Sequence, residues 1–172
     1  MNVKFINPFI EATYEIIKLE AGYEMRRGQL DLDREPYSTD DLTVIISLVG
    51  AVEGNVMYSM SKQTVLALVS RMMGQSMDAM DPMVQSGIAE LGNVITGRAG
   101  IKLAQHGYET NISPPALLMG KGATIYTLDI SRVVVSLTSN DIIVKIHVAL
   151  RPSIRGDMGA LNLEGPIVPS QP

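Results

Sequence analysis

The feature that most constrains the fold of this chain is that parts of its sequence resemble one another. Val44-Ile-Ile-Ser-Leu48 and Val133-Val-Val-Ser-Leu137 carry one pattern 89 residues apart. Gly22-Tyr-Glu24 and Gly107-Tyr-Glu109 match at 85 residues, each just after a helical pattern. Each apolar pentad is followed by a turn and a second strand, at 54–60 and at 142–150. Matches that recur in the same order at drifting spacing point to two copies of a helix–strand–hairpin unit. The alternative is a set of unrelated antiparallel segments that look alike because strands look alike. The expected fold is α+β, with internally duplicated helix–strand–hairpin units forming a mostly antiparallel sheet and helices packed on one face. At 172 residues the chain holds one such domain. It is expected to span 1–151, with pseudo-repeats at about 5–60 and 83–150 joined by a helix at 62–73.

Hydrophobic periodicity places the elements. A helical pattern runs from Pro8 to about Ala21, and Gly22 supplies its stop. Residues 29–33 read as a short strand and Pro36-Tyr-Ser-Thr-Asp40 as a loop. Strands follow at 42–49 and 54–60, with Gly50-Ala-Val-Glu-Gly54 as the hairpin turn. Ser61 is the expected N-cap of the 62–73 helix, which Gly74 ends. The longest helical pattern runs from Met83 to about Gln105, and strands are expected at 115–119, 124–130, 132–138 and 142–150. Met72, Met73, Met77, Met80 and Met83 cluster around the joining segment, and core filling accounts for them better than an adaptable binding surface. Residues 152–172, rich in Pro and Gly, read as an extension without chemistry of its own.

Composition removes most self-contained chemistry. There is no Cys, so disulfides, thiolate nucleophiles and cysteine zinc sites are excluded together. The two histidines, His106 and His147, have no second His or Cys at ligand spacing, and His147 fits a structural role in an alternating strand. Gly120-Lys-Gly122 lacks both the upstream Gly and the following Ser/Thr of a phosphate loop, and no GxSxG elbow or GxGxxG turn occurs. Asp40-Asp41 reads as a solvated turn. A net charge of −4, no Trp and no basic stripe argue against nucleic acid as a partner. No apolar run approaches the roughly 20 residues that span a bilayer, and no signal-peptide pattern opens the chain, so no membrane is expected and the cytoplasm is the expected location.

One helix departs from this plainness. At about 100° per residue, Ile88, Leu91, Ile95, Ala99 and Leu103 form a core face, and Ser86, Glu90, Asn93 and Gly97 a polar stripe opposite. Asn propagates an exposed helix poorly, and Gly92 and Gly97 each cost about 1 kcal/mol relative to Ala. Small residues around an i,i+3 Glu–Asn pair suggest a helix that another surface approaches closely.

The segment Ser86-Gly-Ile-Ala-Glu90-Leu-Gly-Asn93, followed after 20 residues by Pro114-Pro115, resembles the signature of the CheC/CheX/FliY family of chemotaxis phosphatases. Asn7-Pro-Phe, the Gly50–Gly54 turn and Met72-Met-Gly74 resemble the CheX branch. The resemblance covers roughly residues 5–150. It implies a phosphatase that hydrolyses the aspartyl phosphate of a CheY-like response regulator. Asn93 would orient the attacking water and Glu90 would dock the regulator through its active-site Lys. Ser86, Gly97, Pro114 and Pro115 would lie in the partner-binding surface. No cofactor is expected beyond Mg²⁺ supplied by the regulator, and family precedent implies a homodimer joined through strands of the second half, for which the run 115–150 offers an edge. Aligning Ala21-Gly22 with Ala99-Gly100 sets Glu90 opposite Ala12 and Asn93 opposite Glu15, so one site is expected, as in the CheX branch. A non-catalytic module that binds a phosphorylated regulator is the alternative; a flagellar-switch subunit is disfavoured for want of an appended switch-type domain.

Overall fold

The computed structural model describes residues 3–33, 36–127 and 130–153. A 3-10 turn, Val3–Phe5, leads into α1, Asn7–Ala21. Strands β1, Arg26–Asp33, β2, Tyr37–Ser38, β3, Leu42–Gly50, and β4, Val52–Met60, follow. Then come α2, Lys62–Met73, and α3, Pro82–Gln105. The chain continues through β5, Thr110–Ile112, β6, Ala116–Met119, β7, Thr124–Ile125, β8, Arg132–Ser139, and β9, Ile142–Pro152.

The helix ends are written in the sequence. Gly22 adopts φ +71° and returns its N–H to the Lys18 carbonyl, a left-handed cap that a side chain would strain. Ser61 Oγ accepts the Thr64 N–H at 3.1 Å to start α2. The Asp41 carboxylate adds a second cap, accepting the Lys62 N–H at 2.8 Å. For α3, Asp81 accepts the Val84 N–H at 2.8 Å, and Pro82 takes the first helical position, where no N–H is needed.

The main sheet runs β1-β8-β9-β4-β3-β5, with β6 also paired to β3, and its pairings are antiparallel. Two hairpins, β3–β4 and β8–β9, meet through β4 and β9 at the centre. Each then receives an outer strand from the other half: β1 joins β8, while β5 and β6 join β3. Alternation puts Leu42, Val44, Ile46 and Leu48 of β3 on the same side as Val133, Val135 and Leu137 of β8, all buried. All three helices cover that side: Ile17, Leu68, Ile88, Leu91 and Ile95 converge on Val44, Tyr58, Met60 and Val144. The expected α+β architecture, helices on one face of an antiparallel sheet, is what the chain adopts.

Several local expectations change. Residues 36–40 are not simply a loop, because β2 pairs with β7 in a second, two-stranded sheet. That sheet covers part of the face away from the helices. There Tyr37 is buried, hydrogen-bonded through its hydroxyl to the Ser59 side chain and packed on the His147 ring at 4.0 Å between centroids. His147 is thus a buried structural side chain. The strand expected over 124–130 is regular only at Thr124–Ile125, and residues 128–129 lie outside those described. Strand β5 has no counterpart in the sequence-based expectation. Asp40 and Asp41 are more than a solvated turn. Asp40 pairs with Lys145 at 3.0 Å, and Asp41 caps α2 while lying 3.4 Å from Lys121. Lys121 belongs to the Gly120–Gly122 turn, whose backbone is pinned to Asp41 and Thr39, so the segment is structural. Of the run 115–150, β8 and β9 are interior strands; the sheet's outer strands are β1 on one side and β5 with β6 on the other. The Pro/Gly-rich extension lies outside the described residues from 154 onward.

The hairpin glycines also take a different role. Strand β3 runs through Gly50 and β4 starts at Val52, so the turn is tighter than the Gly50–Gly54 span suggested. Gly54 lies inside the sheet at φ +137°, and a Cβ there would stand 2.0 Å from the Ala149 carbonyl oxygen. The residue is small because β9 needs the space. Gly54→Ala is therefore expected to destabilise the domain by about 3 kcal/mol through clash and backbone strain. Equilibrium urea unfolding measures this, and an unaltered midpoint would contradict it.

Candidate functional site

Helix α3 carries the site, and its buried side fixes what it displays. Val84, Gly87, Ile88, Leu91, Gly92, Ile95, Thr96, Ala99 and Leu103 are buried. At Gly92 a Cβ would stand 2.8 Å from Val44 Cγ1. The helix therefore needs a glycine here to lie close on the sheet. One turn later Thr96 donates its hydroxyl to the Gly92 carbonyl at 2.8 Å and pairs with the Tyr58 hydroxyl at 2.9 Å. Burial raises the Tyr58 phenol far above its ordinary range, so it stays a neutral hydrogen-bonding group. Gly92 thus faces the core and does not widen the approach to the polar stripe.

Opposite this buried side lie the residues that the sequence pattern selected. Ser86 and Glu90 are exposed, and Asn93 and Gly97 are partly exposed. Among the described residues, neither the Glu90 nor the Asn93 side chain has a hydrogen bond or ion pair. A carboxylate and an amide i,i+3 apart, both unpartnered, project together into solvent. Gly97 keeps the surface low beside them: a Cβ there would meet only Ile112 Cδ1, at 4.0 Å.

The Pro114–Pro115 corner lies on the Asn93 flank of α3. A Cβ on Gly100 would touch Thr110 and one on Gly97 would touch Ile112, so β5 runs antiparallel to α3. The segment after Ile112 continues toward the turn that bears Asn93. Ser113 anchors the corner to β3. Its N–H donates to the Ser47 carbonyl at 2.9 Å, its Oγ accepts the Ser47 N–H at 3.0 Å, and its hydroxyl donates to the Pro114 carbonyl at 2.9 Å. Pro114 is exposed and Pro115 half-buried. Ser86, Glu90, Asn93, Gly97 and the Pro-Pro corner therefore share one region of the surface.

The other flank of α3 faces α1 through ion pairs that sequence inspection did not reveal. Arg98 Nε donates to Glu15 at 2.8 Å, and Lys102 Nζ donates to Glu15 at 2.8 Å and to Glu11 at 3.1 Å. These partners lie more than 80 residues apart in sequence, so no local pattern signals them. The hydrogen bond to Lys102 holds the Glu15 carboxyl below the usual carboxylate range, and the bond to Glu15 holds the Lys102 ammonium above its own.

The burial patterns of α1 and α3 can also be compared. Buried Phe5, Pro8, Phe9, Ala12, Thr13, Ile16 and Ile17 superpose on buried Val84, Gly87, Ile88, Leu91, Gly92, Ile95 and Thr96 at an offset of 79. The Ala-Gly match gives an offset of 78, which differs by one residue, or about 100° of rotation on a helix. Glu90 then corresponds to Glu11 and Asn93 to Tyr14. Helix α1 keeps an acid at the first position, held by Lys102, and lacks the amide at the second.

Among the described residues no three His, Asp or Glu side chains group to hold a metal, and no helix is long and apolar enough to cross a membrane.

A three-helix layer on one face of an antiparallel sheet is the fold of CheC-like proteins. A CheC-like superfamily protein from Shewanella sp. PV-4 superposes with a TM-score of 0.81 at 27% identity, over 88% of this chain and 99% of that one. The CheX–CheY–BeF₃–Mg²⁺ complex from Borrelia burgdorferi superposes with a TM-score of 0.69 at 25% identity, over 86% and 97%. In sequence, the family profile described as chemotaxis phosphatase CheX matches residues 42–138. The CheY-P phosphatase CheX of Thermotoga maritima is 32% identical over 126 residues, which is 73% of this chain and 81% of that protein. The chain belongs to the CheX family of chemotaxis phosphatases.

The α1–α3 ion pairs lend the site's frame a measurable pH dependence. Glu15 is exposed, so solvent screening limits its worth to less than about 1 kcal/mol. A carboxyl with a lowered folded pKa stabilises above its ordinary value and loses that contribution as pH falls through the lowered one. Glu15→Gln should therefore be slightly less stable than wild type near neutrality. The gap should close below about pH 4. Thermal melts from pH 3 to pH 8 test this, and a gap that widens in acid would contradict it.

Proposed function

We propose that this chain accelerates hydrolysis of the aspartyl phosphate on a CheY-like response regulator, with Asn93 orienting the attacking water and Glu90 engaging the regulator's active-site Lys. The observation that carries this assignment is the unpartnered Glu90–Asn93 pair on the side of α3 opposite the core, in a chain of the CheX family.

The chemistry asks little of the phosphatase. An acyl phosphate is already activated, and phosphoryl transfer depends chiefly on positioning and charge stabilisation. The water oxygen bonds to phosphorus in line with the departing carboxylate. The phosphorus–oxygen bond to that carboxylate breaks, leaving a free aspartate and inorganic phosphate. An amide both donates and accepts hydrogen bonds, so Asn93 can hold the water without taking its proton. Mg²⁺ belongs on this account to the regulator, in keeping with the composition of the Borrelia burgdorferi complex. Ser86, Gly97, Pro114 and Pro115 border the pair and would meet the regulator's surface.

The wider organisation belongs to the same proposal. The domain over 1–151 is taken as a duplication, with pseudo-repeats near 5–60 and 83–150 joined by α2. The exchanged outer strands and the common burial register support this. A homodimer would use one of the sheet's outer edges, and the working location would be the cytoplasm, where response regulators act.

Asn93→Ala should abolish accelerated phosphate loss from a cognate regulator while leaving thermal stability near wild type. Glu90→Ala should weaken both binding and rate. The test is time-resolved dephosphorylation of candidate regulators by wild type and both variants in parallel. Full activity in Asn93→Ala would sink the mechanism, and binding without acceleration by wild type would favour a non-catalytic module.

A further inference from the structure

The surface around Glu90 contains more than the polar pair. On α1, Glu11, Glu15 and Leu19 succeed one another at i,i+4 along one row. The first two reach Lys102 and Arg98 of α3, so the helices run antiparallel, and each step along α1 retreats four residues along α3. The next step sets Leu19 opposite Val94, one turn from Glu90 in the same α3 row. Leu19 is 75% exposed, unusual for a leucine on a helix whose neighbours are ion-paired. On the other side of Glu90, Met73 of α2 reaches over Gly87, where a Cβ would lie 3.3 Å from the Met73 methyl. Met83 lies two turns before Glu90 on the same stripe. Its sulfur accepts the Gln75 side-chain amide at 3.9 Å, and the residue is 53% exposed.

The joining methionines thus divide into two groups. Met72, Met77 and Met80 pack against the core as the sequence led one to expect, but Met73 and Met83 stand on the surface. Flexible, polarisable side chains of this kind suit a surface that adapts to a partner.

We infer that Leu19, Met73 and Met83 form an apolar collar that seats the response regulator around Glu90, and that this collar sets how tightly the phosphorylated regulator binds rather than how fast water attacks. The inference rests on the phosphatase reading above. Its physical basis is complementarity. Glu90 is an anion without an internal side-chain partner, bordered on its α1 and α2 flank by these apolar groups and along its own stripe by Ser86 and Asn93, so its occupant must bring a cation set beside apolar surface. A response regulator that offers its active-site Lys meets that requirement. A second copy of this chain fits less well, since placing Glu90 against its own symmetry mate would oppose two carboxylates. Excluding water around the Glu90–Lys contact also strengthens it, the role that a ring of apolar contacts plays around buried anchors in protein interfaces.

The test is the concentration dependence of phosphate loss from a phosphorylated CheY-like regulator, with this chain in catalytic amounts. Leu19→Ser and Met83→Ser should each raise KM about fivefold or more, as loss of an interface anchor does. Their kcat should stay within about twofold of wild type. Ile143→Ser, which alters an exposed apolar residue on β9 away from α3, should change neither constant. Thermal unfolding verifies that each variant is folded. An unchanged KM in the Leu19→Ser/Met83→Ser double variant, with wild type active, overturns the collar and leaves the phosphatase assignment standing. Failure of wild type to accelerate any regulator overturns both. If sedimentation shows the double variant turning a dimer into monomers, with KM rising only where the dimer is lost, the collar serves a second copy and the inference fails.

Discussion

The contact on which the site depends is the one that lays α3 flat on β3 and β4. Gly92 admits Val44, and Thr96 ties the Tyr58 hydroxyl to the Gly92 carbonyl. A buried hydroxyl pair is stable only if both members are satisfied, and here each satisfies the other. That arrangement fixes the rotation of α3 about its own axis. Glu90, nearly half a turn from Gly92, and Asn93, about 100° from it, are aimed outward as a result. No separate device is needed to orient them, and this explains why both can stand free of internal hydrogen bonds without losing their direction.

The two ends of the site are held differently. On the Asn93 flank, Ser113 locks the Pro114–Pro115 corner to β3 through two hydrogen bonds with Ser47 and braces it with a third to the Pro114 carbonyl, which makes a rigid wall. On the Glu90 flank, α1 is joined by ion pairs among partly exposed side chains, and the methionines of the α2–α3 junction border the turn before Glu90. Rigid positioning beside the water-orienting amide and adaptable contact beside the docking carboxylate suit the two roles that these groups are proposed to play.

Much of this was legible in the sequence, for identifiable reasons. Helix α2 falls where expected because Ser61 and Gly74 are strong local signals with a single geometric meaning. Strands β3, β4, β8 and β9 follow from apolar runs bounded by turn signals. The Glu90–Asn93 stripe is visible because a 24-residue helix gives a period several turns in which to show itself. What was illegible depends on contacts between distant segments. Strands β2 and β7 have two residues each, too few to carry a period. Gly54 looks like a turn residue until β9 is seen lying against it. The Ala-Gly match at the helix ends gives an offset of 78, whereas burial along the helix bodies coincides at 79. Leu19 falls within the apolar pattern of α1, yet the structure leaves it 75% exposed.

The exchange of outer strands has a consequence for how the molecule is made. Strand β1 leaves the ribosome about a hundred residues ahead of its partner β8, with Arg26 meeting Thr138. Until β8 and β9 are synthesised, the β3–β4 hairpin has no central neighbour and β1 has no partner. The early half of the nascent chain must therefore wait, its apolar strands uncovered, for the late half to arrive. Such a sheet has high contact order and closes slowly. The early half is then the stretch most in need of a chaperone's cover during synthesis.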